Sequence, residues 1–251
     1  MTSSALRHWK LTLTLLVAAF LAVLVLFYES FINTVSLWWQ SGTYAHGVLV
    51  VPASLWMVWR ERHFVKNLPP NICWWALAPI VAVGLVWFIG DLSQVMMVKQ
   101  AAAFSLIPLL VLLLLGWQIT WRLAFPLLYL MFAVPMGEEL IPSLMQFTAW
   151  FTVHMIKLTG IPVFWEGMMI EIPTGKFEVA KACSGIRYLI ASIALGCLYA
   201  YITYRQWWRR LLFIALAVAL PVLANGFRAF GIVMIAHLSG MKYAVGVDHF
   251  I

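Results

Sequence analysis

Apolar runs long enough to cross a lipid bilayer recur along this sequence, with little polar sequence between them. The first, Leu11–Tyr28, contains neither glycine nor proline, and about 20 mainly apolar residues form a transmembrane helix. Hydrophobic residues make up 64% of the chain and charged residues only 10%, whereas a soluble domain has about 25% charged residues. The chain therefore cannot cover itself with polar surface and must be a polytopic membrane protein.

We predict an all-α transmembrane helix bundle that forms a single domain over residues 1–251. The segment 143–159 carries Gln146, His154 and Lys157 among its apolar residues, which predicts a helix near the membrane interface. Before Cys183, the β-like segments 168–172 and 176–179 predict a short hairpin. The seven predicted spans are 11–28, 46–59, 74–90, 101–117, 123–136, 186–204 and 211–238.

The Lys and Arg residues of the short loops predict the orientation, because cytoplasmic loops are enriched in them. With a cytoplasmic N-terminus, nine lie on the inner side and five on the outer side, while Arg187 and Arg228 remain within apolar runs. The hairpin, Cys183, His46 and Asp248–His249 then lie on the outer face. The inner residues are Arg7, Lys10, Arg60, Arg62, Lys66, Arg122, Arg205, Arg209 and Arg210, and the outer ones are Lys99, Lys157, Lys176, Lys181 and Lys242.

The formal net charge of +7 does not indicate a nucleic-acid partner. The basic residues lie between apolar runs and do not cluster on a polar domain, so the predicted surroundings are membrane lipid. The three cysteines, Cys73, Cys183 and Cys197, are far apart and form no Cys-x-x-Cys motif or zinc-like spacing. Neither a disulfide framework nor a metal or other cofactor is predicted.

Cys183 lies where the hairpin ends and an apolar run begins, and Arg187 is the first charge in that run. In one continuous helix, residues four apart share a face, so the thiol and the guanidinium would be neighbours. Positive charge beside a thiol favours the thiolate that a nucleophile needs. The alternative is a packing cysteine near the interface, with an arginine that extends its charge to water.

Arg228 lies inside the run 211–238. A charge at the centre of a membrane helix costs at least about 2.5–3.5 kcal/mol, so it normally faces a cavity or a partner. Asn225 and Gly226, which follow Pro221, would let the helix bend and open a polar pocket. The alternative is a structural arginine that binds a backbone carbonyl or Glu138.

His249 is a candidate proton carrier, because histidine exchanges protons near neutral pH. Asp248 is the candidate to orient it, although adjacent residues in a helix point apart. His46, His154 and His237 compete for the role, and His46 is the best competitor, being on the outer face beside a glycine. Together, a thiol, an intramembrane arginine and a histidine suit acyl transfer, in which the arginine stabilises the developing oxyanion.

Four blocks of the sequence resemble the exosortase/archaeosortase family. They are Tyr44–Gly47, Val179–Arg187, Ala224–Arg228 and Val245–His249, in the family's order and at suitable spacing. The Val-Gly-Val-Asp-His block is most similar to the exosortase A branch. Members of the family continue after this block with an aromatic-rich final helix that this sequence lacks, so we expect a shortened member or a fragment.

The resemblance implies a multi-pass cysteine protease or transpeptidase of the bacterial inner membrane, with its active site on the outer, periplasmic side. The implied substrates carry a C-terminal Pro-Glu-Pro signal, a transmembrane helix and a basic tail, and many relatives accompany exopolysaccharide production. Cys183 matches the nucleophile, Arg228 the essential arginine and His249 the third catalytic residue. Arg187 and Asn225 match recurrent motif positions.

Two other classes of protein compete with this interpretation. A non-enzymatic transporter or assembly subunit would need Arg228 but not Cys183; transporters often contain internal repeats, and we find none. A serine or metal protease has little support, because Gly-x-Ser-x-Gly and His-Glu-x-x-His are both absent from the sequence.

Overall fold

The computed structural model describes residues 3–240, and side chains from His8 onward. The described residues fall into two compact units that divide between Met136 and Gly137, called here unit 1 and unit 2. Each has a hydrophobic core of its own. The prediction of one domain over the whole chain stays a prediction.

Unit 1 is built from helices. Its core is formed by apolar side chains from α1, α5, α6 and α7 and the residues that link them, among them Leu16, Val111, Ile119 and Leu127. The helices are α1 (Ser3–Leu26), α2 (Tyr28–Gln40), α3 (Gly47–Val65), α4 (Leu77–Leu92), α5 (Met96–Leu115), α6 (Trp117–Arg122) and α7 (Ala124–Tyr129), with 3₁₀ turns at Trp74–Ala76 and Leu130–Ala133.

Lys99 belongs to the first turn of α5 and not to the outer loop in which the sequence interpretation put it. Its side chain is only 4% exposed, and Nζ donates to Asp91 at 2.6 Å and to Glu29 at 3.0 Å. A buried ammonium is tolerated only when it is paired in this way. The three charges therefore tie the start of α2 and the end of α4 to α5.

Unit 2 combines helices with a small sheet. Strand β2 pairs antiparallel with both β1 and β3. The buried residues Ile170 and Ile172 of β2 pack with Ala149, Val153 and Val233 in the unit's core. The elements are α8 (Ile141–Leu158), β1 (Phe164–Glu166), β2 (Met169–Ile172), β3 (Gly175–Glu178), α9 (Ile186–Thr203) and α10 (Trp207–Leu238), with 3₁₀ turns at Glu138–Leu140 and Lys181–Ser184.

Helices α9 and α10 form an antiparallel pair. A Cβ on Gly196 would lie 2.6 Å from Ala217 Cβ, and one on Gly185 would lie 2.6 Å from Asn225 Cγ. The pairing therefore runs from the loop between the helices up to Asn225. The last 13 residues of α10, about 20 Å of helix, continue beyond the start of α9. There His237 meets Thr174 of the hairpin turn.

The polytopic helical fold and its hairpin are confirmed, but the described residues contain fewer candidate spans than the seven predicted. Within residues 3–240, five helices are long and apolar enough to cross a membrane, or six if 124–158 counts as one interrupted span. Apart from His46, which precedes the helix, the predicted span 46–59 is part of α3, which continues through three charged residues at 60–62. The predicted span 123–136 is divided between α7 and the 3₁₀ turn Leu130–Ala133. Helical structure ends there because Pro135 disfavours helix in the residue before it.

The hairpin lies within one residue of its predicted bounds. Ile172 pairs with Gly175, so Pro173 and Thr174 form a two-residue loop. Strand β1 was not predicted and adds a third strand. Helix α8 lies within two residues of the predicted interfacial helix; its position in the membrane stays a prediction.

Candidate active site

Cys183 lies in the 3₁₀ turn Lys181–Ser184, and Gly185 separates this turn from α9. Gly185 has φ +73°, a left-handed conformation that interrupts any helix. The expectation that Cys183 and Arg187 share one helical face is therefore wrong. Arg187 is exposed on the first turn of α9, with its guanidinium carbon 5.3 Å from the ring centroid of Tyr188.

Asn225 holds the cysteine turn against α10. Its Nδ2 donates to the backbone carbonyl of Cys183 at 2.6 Å and to Thr148 Oγ of α8 at 3.1 Å. The Asn225 residue is 5% exposed; its bond to Thr148 is buried, and its bond to the Cys183 carbonyl is partly buried. An amide with two donors can satisfy two acceptors at once, and three elements of unit 2 meet at this side chain.

The position of Gly185 depends on having no side chain. A Cβ there would lie 2.6 Å from Asn225 Cγ and 2.9 Å from Asn225 Cβ. Glycine therefore serves two purposes at this position, since it allows the positive φ and it lets α9 begin directly against α10. Helix α9 therefore begins beside Asn225 of α10, and Cys183 lies in the turn immediately before it.

Arg228 lies one turn beyond Asn225 on α10, so the two side chains project from the same side of the helix. Its side chain is half-buried, and Nη2 is buried with no hydrogen-bond partner in the described part of the chain. A buried charged donor without an acceptor is costly. A bound substrate could relieve this cost by offering Nη2 an oxygen atom as acceptor.

His46 lies in unit 1, immediately before α3. Its Nε2 is 3.1 Å from the Phe132 carbonyl, which is only an acceptor, so the proton belongs on Nε2. Nδ1 is buried and has no hydrogen-bond partner within residues 3–240. Burial lowers the pKa of His46 from its ordinary value, although the backbone groups of Phe132 and Thr43 act in the opposite direction.

The other histidines that sequence reasoning considered have different surroundings. His154 is exposed, and its Nδ1 lies 2.7 Å from the carbonyl of Trp150, four residues earlier. His237 Nδ1 lies 2.9 Å from Thr174 Oγ in the hairpin turn. His249 and Asp248 lie outside the described residues. No group of three or more His, Cys, Asp or Glu side chains in the described ranges could hold a metal ion.

The family model of transmembrane exosortases matches residues 38–251, a stretch that contains Cys183, Asn225 and Arg228. The chain belongs to the transmembrane exosortase family. Membership makes it a membrane protein of the sortase-like protease class and implies, in general terms, a cysteine peptidase or transpeptidase. Neither the curated proteins nor the solved structures gave a match.

Sequence reasoning missed Thr148, although it singled out Asn225. A threonine within an apolar helix is unremarkable in sequence, because its hydroxyl usually bonds the carbonyl four residues earlier. Thr148 does so, with Leu144 at 2.8 Å, and it also accepts from Asn225. Only the packing of α8 against α10 reveals this second bond.

Proposed function

We propose that this exosortase is a cysteine endopeptidase or transpeptidase that cleaves C-terminal Pro-Glu-Pro sorting signals of exported proteins. Its substrates carry a transmembrane helix and a basic tail after the signal. Cleavage takes place on the outer side of the bacterial inner membrane, in a cell that produces exopolysaccharide. The proposed catalytic residues are Cys183, Arg228 and His249, supported by Asn225, Arg187, His46 and Asp248.

One observation carries this proposal. The carbonyl of Cys183 is hydrogen-bonded to α10 at Asn225, one helical turn before Arg228, whose Nη2 is buried and has no acceptor within the described residues. A thiol and a desolvated cationic donor on adjoining elements suit attack on a carbonyl and stabilisation of the resulting oxyanion.

In the first step, His249 accepts the proton of the Cys183 thiol, and the thiolate sulfur attacks the scissile carbonyl carbon. A C–S bond forms, and the carbonyl oxygen takes the negative charge, which Arg228 stabilises by hydrogen bonding. The intermediate then collapses and the C–N bond breaks. The proton held on His249 passes to the leaving amine nitrogen.

The second step releases the acyl group from its thioester. Water, or the amine of an acceptor molecule, attacks the thioester carbonyl and loses a proton to His249. The C–S bond breaks, and the proton returns to the sulfur of Cys183. Hydrolysis and transfer differ only in which nucleophile enters, so the same residues serve both outcomes.

The test is cleavage of a reporter that carries a Pro-Glu-Pro signal, an apolar helix and a basic tail, in membranes containing the full chain. We expect cleavage to be lost in Cys183→Ala and Cys183→Ser. Cys197→Ala is the matched control, because Cys197 is also half-buried but lies within α9, away from the turn. Hydroxylamine should divert the product to a hydroxamate, as expected when an acyl-enzyme intermediate is attacked by an added nucleophile. Unchanged cleavage by Cys183→Ala would overturn the proposal.

A further inference from the structure

The side chains behind the cysteine turn form a short hydrogen-bonded chain, Thr148 to Asn225 to the Cys183 carbonyl. We propose that Thr148 is a positioning residue, which orients Cys183 through Asn225. The inference rests on the proposed function, in which Cys183 is the nucleophile. Within residues 3–240 no hydrogen bond joins Thr148 to the thiol, and by this proposal Thr148 does not touch the substrate.

The donors and acceptors of this chain allow one arrangement. The Cys183 carbonyl is only an acceptor, so the amide nitrogen of Asn225 must face it. The Thr148 hydroxyl gives its proton to the Leu144 carbonyl at 2.8 Å, which leaves a lone pair for the second proton of Nδ2. Thr148 therefore prevents the amide of Asn225 from turning away from the cysteine.

A fixed carbonyl restrains the Cα–Cβ bond that carries the thiol. The peptide unit after Cys183 is planar, so holding its oxygen also holds the Cα of Cys183 at the edge of that plane. The amide N–H of Cys183 donates to the Ala180 carbonyl at 2.9 Å, which restrains the residue from its other side. With both flanking peptide units held, rotation about the Cα–Cβ bond is the main freedom left to the sulfur.

Burial makes the Thr148 hydroxyl hard to replace. Thr148 is 1% exposed, so water has no ready access to the space beside Asn225 Nδ2. Replacing the hydroxyl with a methyl group would leave a buried amide proton without an acceptor, and such a group regains a partner by moving. The movement available to Asn225 is rotation of its amide, which would release the Cys183 carbonyl.

Thr152 provides a matched control on the same helix. It lies one turn after Thr148, is also 1% exposed, and its hydroxyl has no hydrogen-bond partner within residues 3–240. Thr152→Val therefore makes the same change in volume and polarity as Thr148→Val without removing a bond to Asn225. Thr148→Ser keeps the acceptor and should restore what Thr148→Val loses.

The experiment measures two properties of the full-length protein in membranes. The first is the rate constant for reporter cleavage, separated into kcat and KM. The second is the rate of Cys183 alkylation by iodoacetamide against pH, read by mass spectrometry of the peptide that contains it. We expect Thr148→Val to lower kcat about tenfold with little change in KM, and to change the alkylation profile. Thr148→Ser and Thr152→Val should stay within about twofold of wild type.

The two readouts separate this inference from the proposed function. If Cys183→Ala still cleaves, the proposed function fails, and the alkylation profiles alone decide whether Thr148 positions the cysteine. If Thr148→Val matches Thr152→Val in both readouts, the inference is overturned. Should Thr148→Val not fold, Thr148→Ala is compared with Thr152→Ala, because both remove the same hydroxyl and methyl groups and only the first removes an acceptor for Asn225.

Discussion

At the residue scale, Arg228 differs from an ordinary surface arginine, because its side chain is half-buried and its Nη2 has no hydrogen-bond partner within residues 3–240. We expect Arg228→Gln to lower kcat by about 10²–10³, the usual effect of removing an oxyanion donor. Arg228→Lys keeps the charge but lacks the planar fork of donors, so it should recover only part of the rate. Single-turnover cleavage of the reporter measures both variants.

Arg187 is the matched control for Arg228. It is also an arginine within an apolar run, but it is exposed and lies beside the Tyr188 ring on α9. Arg187→Gln should therefore cost much less in kcat than Arg228→Gln. Equal losses in the two variants would mean that the rate depends on general positive charge at this face, and not on the donor of Arg228.

His46 should make the stability of the protein depend on pH. Burial holds its folded-state pKa below the ordinary value of 6.5, so below that value the unfolded chain binds the proton more readily. The contribution to stability is present above pH 6.5 and is lost as pH falls towards the lowered value. The Tm of the purified protein should decrease over this window, and less steeply in His46→Gln.

His154→Gln is the control for the pH experiment, because His154 is exposed. Its Tm profile should follow that of wild type. If His46→Gln instead keeps the full slope below pH 6.5, another group carries the pH dependence and the neutral state assigned to His46 is wrong.

At the element scale, the start of α9 depends on Gly185. We expect Gly185→Ala to destabilise the turn strongly, because a Cβ adds the left-handed strain of about 1–2 kcal/mol to an overlap with Asn225. Gly160→Ala has the same sign of φ, +79°, but meets nothing within 4 Å. The difference in Tm between the two variants measures how much stability is lost when the new Cβ displaces Asn225. Cleavage should be lost only in Gly185→Ala. Equal effects would show that the close approach is not needed.

The elements that could be predicted are those with a long periodic or apolar signal. Helices α4, α5, α9 and α10 and the β2–β3 hairpin lie close to their predicted positions. Strand β1 could not be predicted, because its three residues are all exposed and give no alternating pattern. The break before α9 was also hidden, since the sequence does not show that Gly185 takes a positive φ between two helical segments.

The site itself was predictable only in part. The order of the motif blocks pointed to Cys183, Asn225 and Arg228, but the bond from Asn225 to the Cys183 carbonyl joins residues 42 positions apart. The bond from Asn225 to Thr148 spans 77 positions. Such contacts depend on how helices pack and not on local sequence. The sequence predicted that Cys183 would lie beside Arg187. The contact that holds Cys183 instead, with Asn225, could only be found in the structure.

At the scale of the whole molecule, the distribution of Lys and Arg predicts which end of the α9–α10 pair faces the cytoplasm. Helix α9 has 18 residues, about 27 Å, so its two ends should lie on opposite sides of a hydrocarbon core about 30 Å thick. The loop after α9 carries Arg205, Arg209 and Arg210. The positive-inside rule puts this loop in the cytoplasm and the cysteine turn outside.

Single cysteines test this orientation in a variant whose three native cysteines are replaced by serine. Pro173→Cys lies in the exposed hairpin turn and Gln206→Cys in the loop between α9 and α10. A membrane-impermeant maleimide should label the first in spheroplasts and the second only after the membrane is broken. The reverse pattern would put Cys183 on the cytoplasmic side. The thiol and the exported part of a substrate would then lie on opposite sides of the membrane. The proposal that cleavage follows export would have to be abandoned, even if Cys183 proved essential.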